Sequence, residues 1–354
     1  MAMKGLTPVV SVVLLLMIAI ALFGSAYTYM TLSLGRYTYR SVDVAQAFCF
    51  SGTANIFLQN TGKAVIDIPQ GVTIDPSLSL YYPLDTDTGS TVRDFGGYGN
   101  TGQFNGGAFV DGRVGKAASF DGSSSYIGIP PSPALNFSGA CKFTEEAWIN
   151  PAANNPGYRG FLGYEPGDSR YRMPSMWIVD TGDPDFGLYG GFGNGVQWLS
   201  FQVNGVIGRN KWTHVAVSFD GSKYTAYING TKIFDAVGTW TGQCPNRDYA
   251  QLDAGRVDSY FNGYLDEVAV YSRVLPDSEI LEHSNACAGS GNEYKCGDLT
   301  VTRLSGGGVF SPRFDRGSIQ PSAFAIMQDF GCTGNCQYSI FPGIGVSARA
   351  SVSC

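Results

Sequence analysis

From Leu6 to Leu34 the chain carries no charged residue, and Leu6–Phe23 reads LTPVVSVVLLLMIAIALF. About 20 apolar residues are enough to span a bilayer. The run is apolar on every side, so as a helix it has no face for water and cannot lie half-wet on a soluble core. Lys4 stands just before it, which suits a cytoplasmic start and an exported remainder. The residues alone leave three readings open. One is a cleaved secretory signal ending at Gly24-Ser25-Ala26. The others are a plain membrane anchor and a short leader whose removal frees the apolar run. Pro8 falls in the first turn of such a helix, where a missing N–H costs nothing. Tyr27, Tyr29, Tyr37 and Tyr39, then Arg36 and Arg40, read as its upper, partly polar end, and it is expected to stop between Gly35 and Ala47.

Beyond this segment the composition changes the argument. The chain has 354 residues, enough for two or three units, with 47 Gly, 20 Tyr and 22 Phe and only 15% charged residues. Many glycines and aromatics with few charges favour strands and tight turns. The net charge is −6 with no basic block, so nucleic-acid binding has no electrostatic support. Cys49, Cys141, Cys244, Cys287, Cys296, Cys332, Cys336 and Cys354 are even in number. Behind an export signal they read as disulfides rather than metal ligands. Nearness in the chain suggests the pairs Cys287–Cys296 and Cys332–Cys336.

Strand patterns follow Cys49. Ala54–Gln59 and Ala64–Ile68 flank an Asn60-Thr61-Gly62 turn, and the pattern breaks off near Pro76. Strand-like stretches resume at Asp298–Leu304, Ser322–Gln328 and Gly345–Ser353. Between them, Thr213, Val215, Val217 and Phe219 point one way, with Trp212, His214, Ala216 and Ser218 the other. Asp220-Gly221 and Asn229-Gly230 are hairpin turn pairs, and Pro276–His283 reads as one short helix. Repeated hairpins imply an antiparallel two-sheet jelly roll.

Met1-Ala2-Met3-Lys4-Gly5 followed by Leu6-Thr7-Pro8-Val9-Val10 resembles the N-terminus of archaeal type IV pilins and archaellins. The resemblance implies peptidase cleavage between Gly5 and Leu6. It also implies membrane residence before assembly and a homopolymer whose helices bundle along a filament axis. The strand, Asn-Thr-Gly, strand pattern resembles the β domain that follows the pilin helix. A second resemblance, to the laminin-G-like, concanavalin A-like family, rests on Tyr81–Asp85, Val92–Gly102, Gly115–Gly122, Phe143–Asn150, Trp212–Gly221, Tyr227–Thr231 and Phe261–Tyr271. The expected fold is therefore mainly β with one long N-terminal α-helix. A pilin-type β-sandwich head is interrupted by a jelly roll. The units are a leader at 1–5, an assembly helix at 6–48, a split sandwich at 49–76 and 288–354, and the jelly roll at 77–287.

No catalytic layout emerges. Glu145-Glu146 and Asp266-Glu267 are adjacent pairs, which in a strand face opposite sides. No Gly-x-Ser-x-Gly element or Cys-His pair is present, so the chain is not expected to be an enzyme. The laminin-G-like resemblance implies calcium, with Asp94, Asp121 and Asp266 as candidate ligands and Asn100 a poorer one. The same residues also suit plain turn roles. It further implies glycan or protein binding. Tyr158, Tyr164, Tyr171, Trp177, Tyr189, Phe192 and Trp198 are the aromatics able to line a cleft, though such residues also build cores. His214 reads as a hydrogen-bonded structural residue. Asn136 and Asn229 match the glycosylation pattern. The expected role is a subunit of an extracellular filament that displays the jelly roll for adhesion. The alternative is a membrane-anchored monomeric lectin-like surface protein.

Overall fold

The computed structural model describes residues 40–354 except 51, 69–71, 73–74, 86, 88, 165, 247–251, 286, 308–309, 311, 315–317, 330 and 344. The Gly5–Leu6 cleavage position and the apolar run, with its continuation to residue 39, lie outside the described residues. The remainder of the expected helix is corrected. Residues 40–48 belong to the strand Arg40–Phe50. The one α-helix among the described residues is Asp277–Ser284. A long helix followed by a β head is therefore not the fold class; the described chain is nearly all β. The physical reason is tertiary. Arg40–Phe50 pairs antiparallel with Thr53–Asn60, from Val42 opposite Asn60 to Phe50 opposite Thr53. Val42 enters an apolar core on one side, and Cys49 is bonded to Cys354. Those long-range partners outweigh the modest helical preference of a segment such as Val44-Ala45-Gln46-Ala47.

Two eight-stranded sheets face each other in the middle of the chain. One runs in the order Thr231–Val237, Lys223–Ile228, Thr213–Phe219, Phe143–Pro151, Asn262–Tyr271, Lys116–Asp121, Ala108–Asp111, with Leu78–Tyr82 also paired to Asn262–Tyr271. The other runs Trp198–Ile207, Phe186–Gly193, Ser175–Val179, Tyr158–Gly163, Leu252–Ala254, Tyr126–Ile129, Gly102–Asn105, Thr91–Val92. Alternation sets the inner faces. Val215, Val217 and Phe219 meet Met176, Ile178, Leu188 and Phe192 in a single core. The outward-facing Ala216 joins Tyr227, Tyr271, Leu275 and Ile280 to seat the short helix.

The head is a second, smaller pair of sheets. One has the order Pro312–Phe314, Phe324–Asp329, Thr53–Asn60, Arg40–Phe50, Gly345–Val346. The other has the order Ala288–Ser290, Glu293–Cys296, Leu299–Gly307, Thr333–Phe341, Ala348–Ser353. Ile56, Leu58, Ile66 and Val42 from one end of the chain pack with Tyr294, Leu299, Val301, Met327, Tyr338 and Ile340 from the other. All eight cysteines are paired, as Cys49–Cys354, Cys141–Cys244, Cys287–Cys296 and Cys332–Cys336. Four disulfides fit an oxidising, extracellular setting. Among the described residues no helix is long and apolar enough to cross a membrane.

A buried arginine joins the two units. Arg313, on a head strand, reaches Glu267 with both terminal nitrogens at 2.6 Å and Asp85 at 2.8 Å. The Tyr81 hydroxyl donates to the same Glu267 at 2.6 Å, and the guanidinium lies over the Tyr81 ring. Glu267 takes a positive φ of 53° at an irregularity in its strand, which turns its carboxylate toward the head.

Candidate functional site

The outer face of the second eight-stranded sheet carries a row of side chains in register. Gly160 pairs with Trp177, Trp177 with Tyr189, and Tyr189 with Gln202. Their neighbours Met176, Ile178, Leu188 and Phe201 point into the core, so the row points out. Trp198 lies beside it because position 191 is glycine; a Cβ there would stand 2.8 Å from the Trp198 ring. The rings brace one another. Trp177 meets Tyr189 at 5.5 Å and Trp198 edge-on at 5.6 Å, and Tyr158 meets Tyr189 edge-on at 5.1 Å.

A polar edge completes the site. Residues Arg256–Val257 and Ser259–Tyr260 form a two-stranded ribbon turning at Asp258, whose φ is +59°. Asp tolerates this left-handed conformation better than most residues. The turn places the Asp258 carboxylate 2.5 Å from Arg172. The Arg172 guanidinium lies 5.4 Å from the Trp177 ring centre and 5.1 Å from that of Trp198. Burial pushes the Asp258 carboxyl above its ordinary value, and the Arg172 charge offsets part of that. Polar handles fix the rings. Trp177 Nε1 donates to Val257 O at 3.0 Å, Trp198 Nε1 to the Tyr189 hydroxyl at 2.5 Å, and the Tyr158 hydroxyl to Gln202 at 3.1 Å. Tyr158, Arg172, Trp177, Tyr189 and Asp258 thus line a cleft of about 250 Å³. Tyr158 is 49% exposed whereas Trp177 is 1% exposed, so Tyr158 offers the ring and Trp177 the floor. Such a surface suits a ligand with an apolar face and hydroxyls at its edge.

Of the seven aromatics named from sequence, Tyr158, Trp177 and Tyr189 line the cleft and Trp198 flanks it. Phe192 is in the core, Tyr164 packs against that core, and Tyr171 lies under Arg170. Sequence reasoning missed Arg172, Asp258 and Gln202. The available signal was alternation in Ser175–Val179 and Trp198–Ile207, which puts Trp177, Trp198 and Gln202 on the outer face.

The three candidate calcium ligands do not converge. Asp94 Oδ1 accepts from Tyr81 N and Gly96 N, and its Oδ2 from Asn100 N. Asp121 accepts from the backbone N–H of Ser123, Ser124 and Ser125 and from the hydroxyls of Ser124 and Ser125. Those donors hold its carboxyl far below the usual range. Asp266 Oδ2 accepts from Arg113 N and Val114 N in the wall beside Asp85 and Glu267. The Asp94 and Asp121 carboxylates are already engaged by N–H and hydroxyl donors, whereas Asp266 Oδ1 is buried without a hydrogen-bond partner among the described residues. Among the described residues no group of three or more His, Cys, Asp or Glu side chains is placed to hold a metal. Asn100 is buried, its side-chain amide donating to Ser79 O.

His214 and His283 meet at one carboxylate. Glu146 lies 2.7 Å from His283 Nδ1 and 3.6 Å from His214 Nε2, and all three are buried. Burial pushes the His214 imidazole down to about 4. His283 moves the other way: burial alone would lower it, but the Glu146 charge and hydrogen bond raise it. The trio anchors the short helix and has no open path to a substrate. Asn136 and Asn229 are exposed at turns; Asn136 Oδ1 accepts from Ser138 N, and Asn229 Oδ1 from His214 N.

Residues 121–281 match the pattern of the concanavalin A-like lectin/glucanases superfamily. This segment is a concanavalin A-like domain. No curated protein sequence matches the chain. Among solved structures, the chain resembles domain 4 of an extracellular arabinanase from Geobacillus stearothermophilus, solved with arabinotriose. The identity is 22% over 59% of this chain and 98% of that one, with a TM-score of 0.44. It also resembles the binding domain of botulinum neurotoxin DC in complex with rat synaptotagmin II, at 13% identity over 79% and 74% of the two chains, TM-score 0.46. The binding domain of Paraclostridial Mosquitocidal Protein 1 gives 15% identity, 78% and 88% coverage and a TM-score of 0.47.

Proposed function

We propose that this chain is a non-catalytic binding protein displayed at a cell surface, and that its concanavalin A-like domain holds a glycan in the Tyr158 cleft. The observation that carries this reading is the half-exposed Tyr158 ring standing beside the Arg172–Asp258 pair on a braced aromatic floor. A sugar ring lays its C–H face on Tyr158, while its hydroxyls exchange hydrogen bonds with Asp258, Arg172 and Gln202. The buried Glu146 trio gives no support to hydrolysis, which requires carboxyl groups within reach of the scissile bond. Surface display rests on the Leu6–Phe23 sequence and the four disulfides. Many copies would raise the avidity of a weak site.

A polymer of copies is the second reading, favoured by Gly5 standing directly before the apolar run. A mature N-terminus at Leu6, read by mass spectrometry, supports it, and an intact Met1 supports a single anchored molecule.

The test of the cleft is a glycan array probed with the wild type and with Tyr158→Ala. Loss of one stacking platform is expected to weaken binding about tenfold, from roughly 1–1.5 kcal/mol per aromatic contact. A wild type that binds nothing on the array, or a Tyr158→Ala chain that binds equally well, overturns the reading.

A further inference from the structure

The other face of the sandwich bears a pocket of different chemistry. Asn150, Tyr264 and Ser119 stand in one register row across three strands of the first eight-stranded sheet. With Asn210, Asn262, Ala152, Gly263 and Phe120 they line a pocket of about 160 Å³. None of these lining residues is charged, in contrast to the Arg172–Asp258 cleft. Tyr264 is 39% exposed and lies 6.2 Å from the Trp212 ring. Three carboxamides therefore surround an open aromatic face.

The amides are held in place by one shared loop. Asn210, at a φ of +53°, donates its backbone N–H to Pro151 O and accepts at Oδ1 from Ala153 N. Asn262 N donates to Oδ1 of the buried Asn155, and its Nδ2 donates to Asn154 O at 3.3 Å. Asn210 Nδ2, Asn262 Oδ1 and both polar atoms of the Asn150 side chain make no hydrogen bond among the described residues. A carboxamide presents one donor and one acceptor side by side, which matches two adjacent hydroxyls, each both donor and acceptor. The pocket is smaller than the usual drug-sized cleft, which limits it to a single ring.

We infer that the Asn150–Asn210–Asn262–Tyr264 pocket is a second, independent sugar site that takes one uncharged ring bearing adjacent hydroxyls. It extends the glycan-binding reading given above, but on separate residues and the opposite sheet. Two sites on opposite faces let one chain bridge two glycan strands.

The test is an NMR titration of the ¹⁵N-labelled full chain with methyl glucoside, methyl mannoside, methyl galactoside and methyl xyloside, with glucuronate as the charged control. The side-chain amide pairs of Asn150, Asn210 and Asn262 are expected to shift with at least one neutral glycoside and not with glucuronate. The shifts persist in Tyr158→Ala, and Asn150→Ala weakens that binding about fivefold, the effect of one neutral hydrogen bond. Asn150 has no side-chain partner to lose, so this variant leaves the fold intact. If no neutral glycoside moves these amides while the Trp177 and Trp198 indole signals respond, the second site is overturned and the first stands. If Tyr158→Ala abolishes both sets of shifts, the two are one site and the inference fails. If neither set responds, both readings fail for these sugars.

Discussion

The inserted sandwich closes two eight-stranded sheets over one continuous core and carries a single disulfide, Cys141–Cys244. The head has two five-stranded sheets, and the other three disulfides lie in it or at its junction. Its strands come from the two ends of the described chain. Cys49–Cys354 spans a sequence separation of 305 residues. A small core returns little apolar burial, and a long intervening insertion raises the entropy of the open chain. Covalent closure offsets both, whereas the larger sandwich has enough buried surface to hold itself.

The largest expected effect breaks the link between the regions. Arg313→Met leaves Glu267 and Asp85 buried without their cation, which costs about 3–5 kcal/mol. Calorimetry of the wild type is expected to show the two regions melting together, and the variant to melt earlier with the transitions separated. An unchanged melting profile would mean that Arg313 couples nothing. Next in size is the Cys49→Ser, Cys354→Ser pair, read in the Arg313→Met background, where the two transitions are separated. It should lower the head transition by about 2–4 kcal/mol and leave the sandwich transition in place. Equal loss in both would remove the distinction between stapled head and self-sufficient sandwich.

A further expected effect is a pH dependence of the sandwich. Burial pushes the Glu145 carboxyl up to about 8. Below its ordinary value the folded and unfolded chains are both protonated there. As pH rises from that value toward 8, the unfolded chain gives up the proton and the folded chain keeps it, so stability falls through this window. Glu145→Gln is expected to flatten that decline, read as wild type against variant in sandwich melting between pH 5 and 8. An identical slope in the two proteins would mean that Glu145 is not the group responsible.

Much of the sandwich was legible because its signals are local. Thr213–Phe219 alternates, and Asn229-Gly230 takes positive φ at both residues between its strands. The segment 40–48 misled because two of its partners lie at the far end of the chain. Gly345–Val346 and Cys354 join the neighbouring strand Thr53–Asn60 in deciding its conformation. The cleft aromatics were named together with core residues such as Phe192, since composition does not separate the two faces of a sheet; register does. Arg172 and Asp258 escaped notice because they lie 86 residues apart, and only the turn at Asp258 brings them together. The calcium reading followed acidic turn residues whose carboxylates the backbone N–H groups of Gly96, Asn100 and Ser123–Ser125 already occupy.

The most direct measurement is the dissociation constant of the strongest array glycan for the wild type and for Tyr158→Ala, taken at matched melting temperature. A roughly tenfold weakening in the variant is expected. Equal constants would place the recognition surface elsewhere on the chain and contradict the assignment of the cleft.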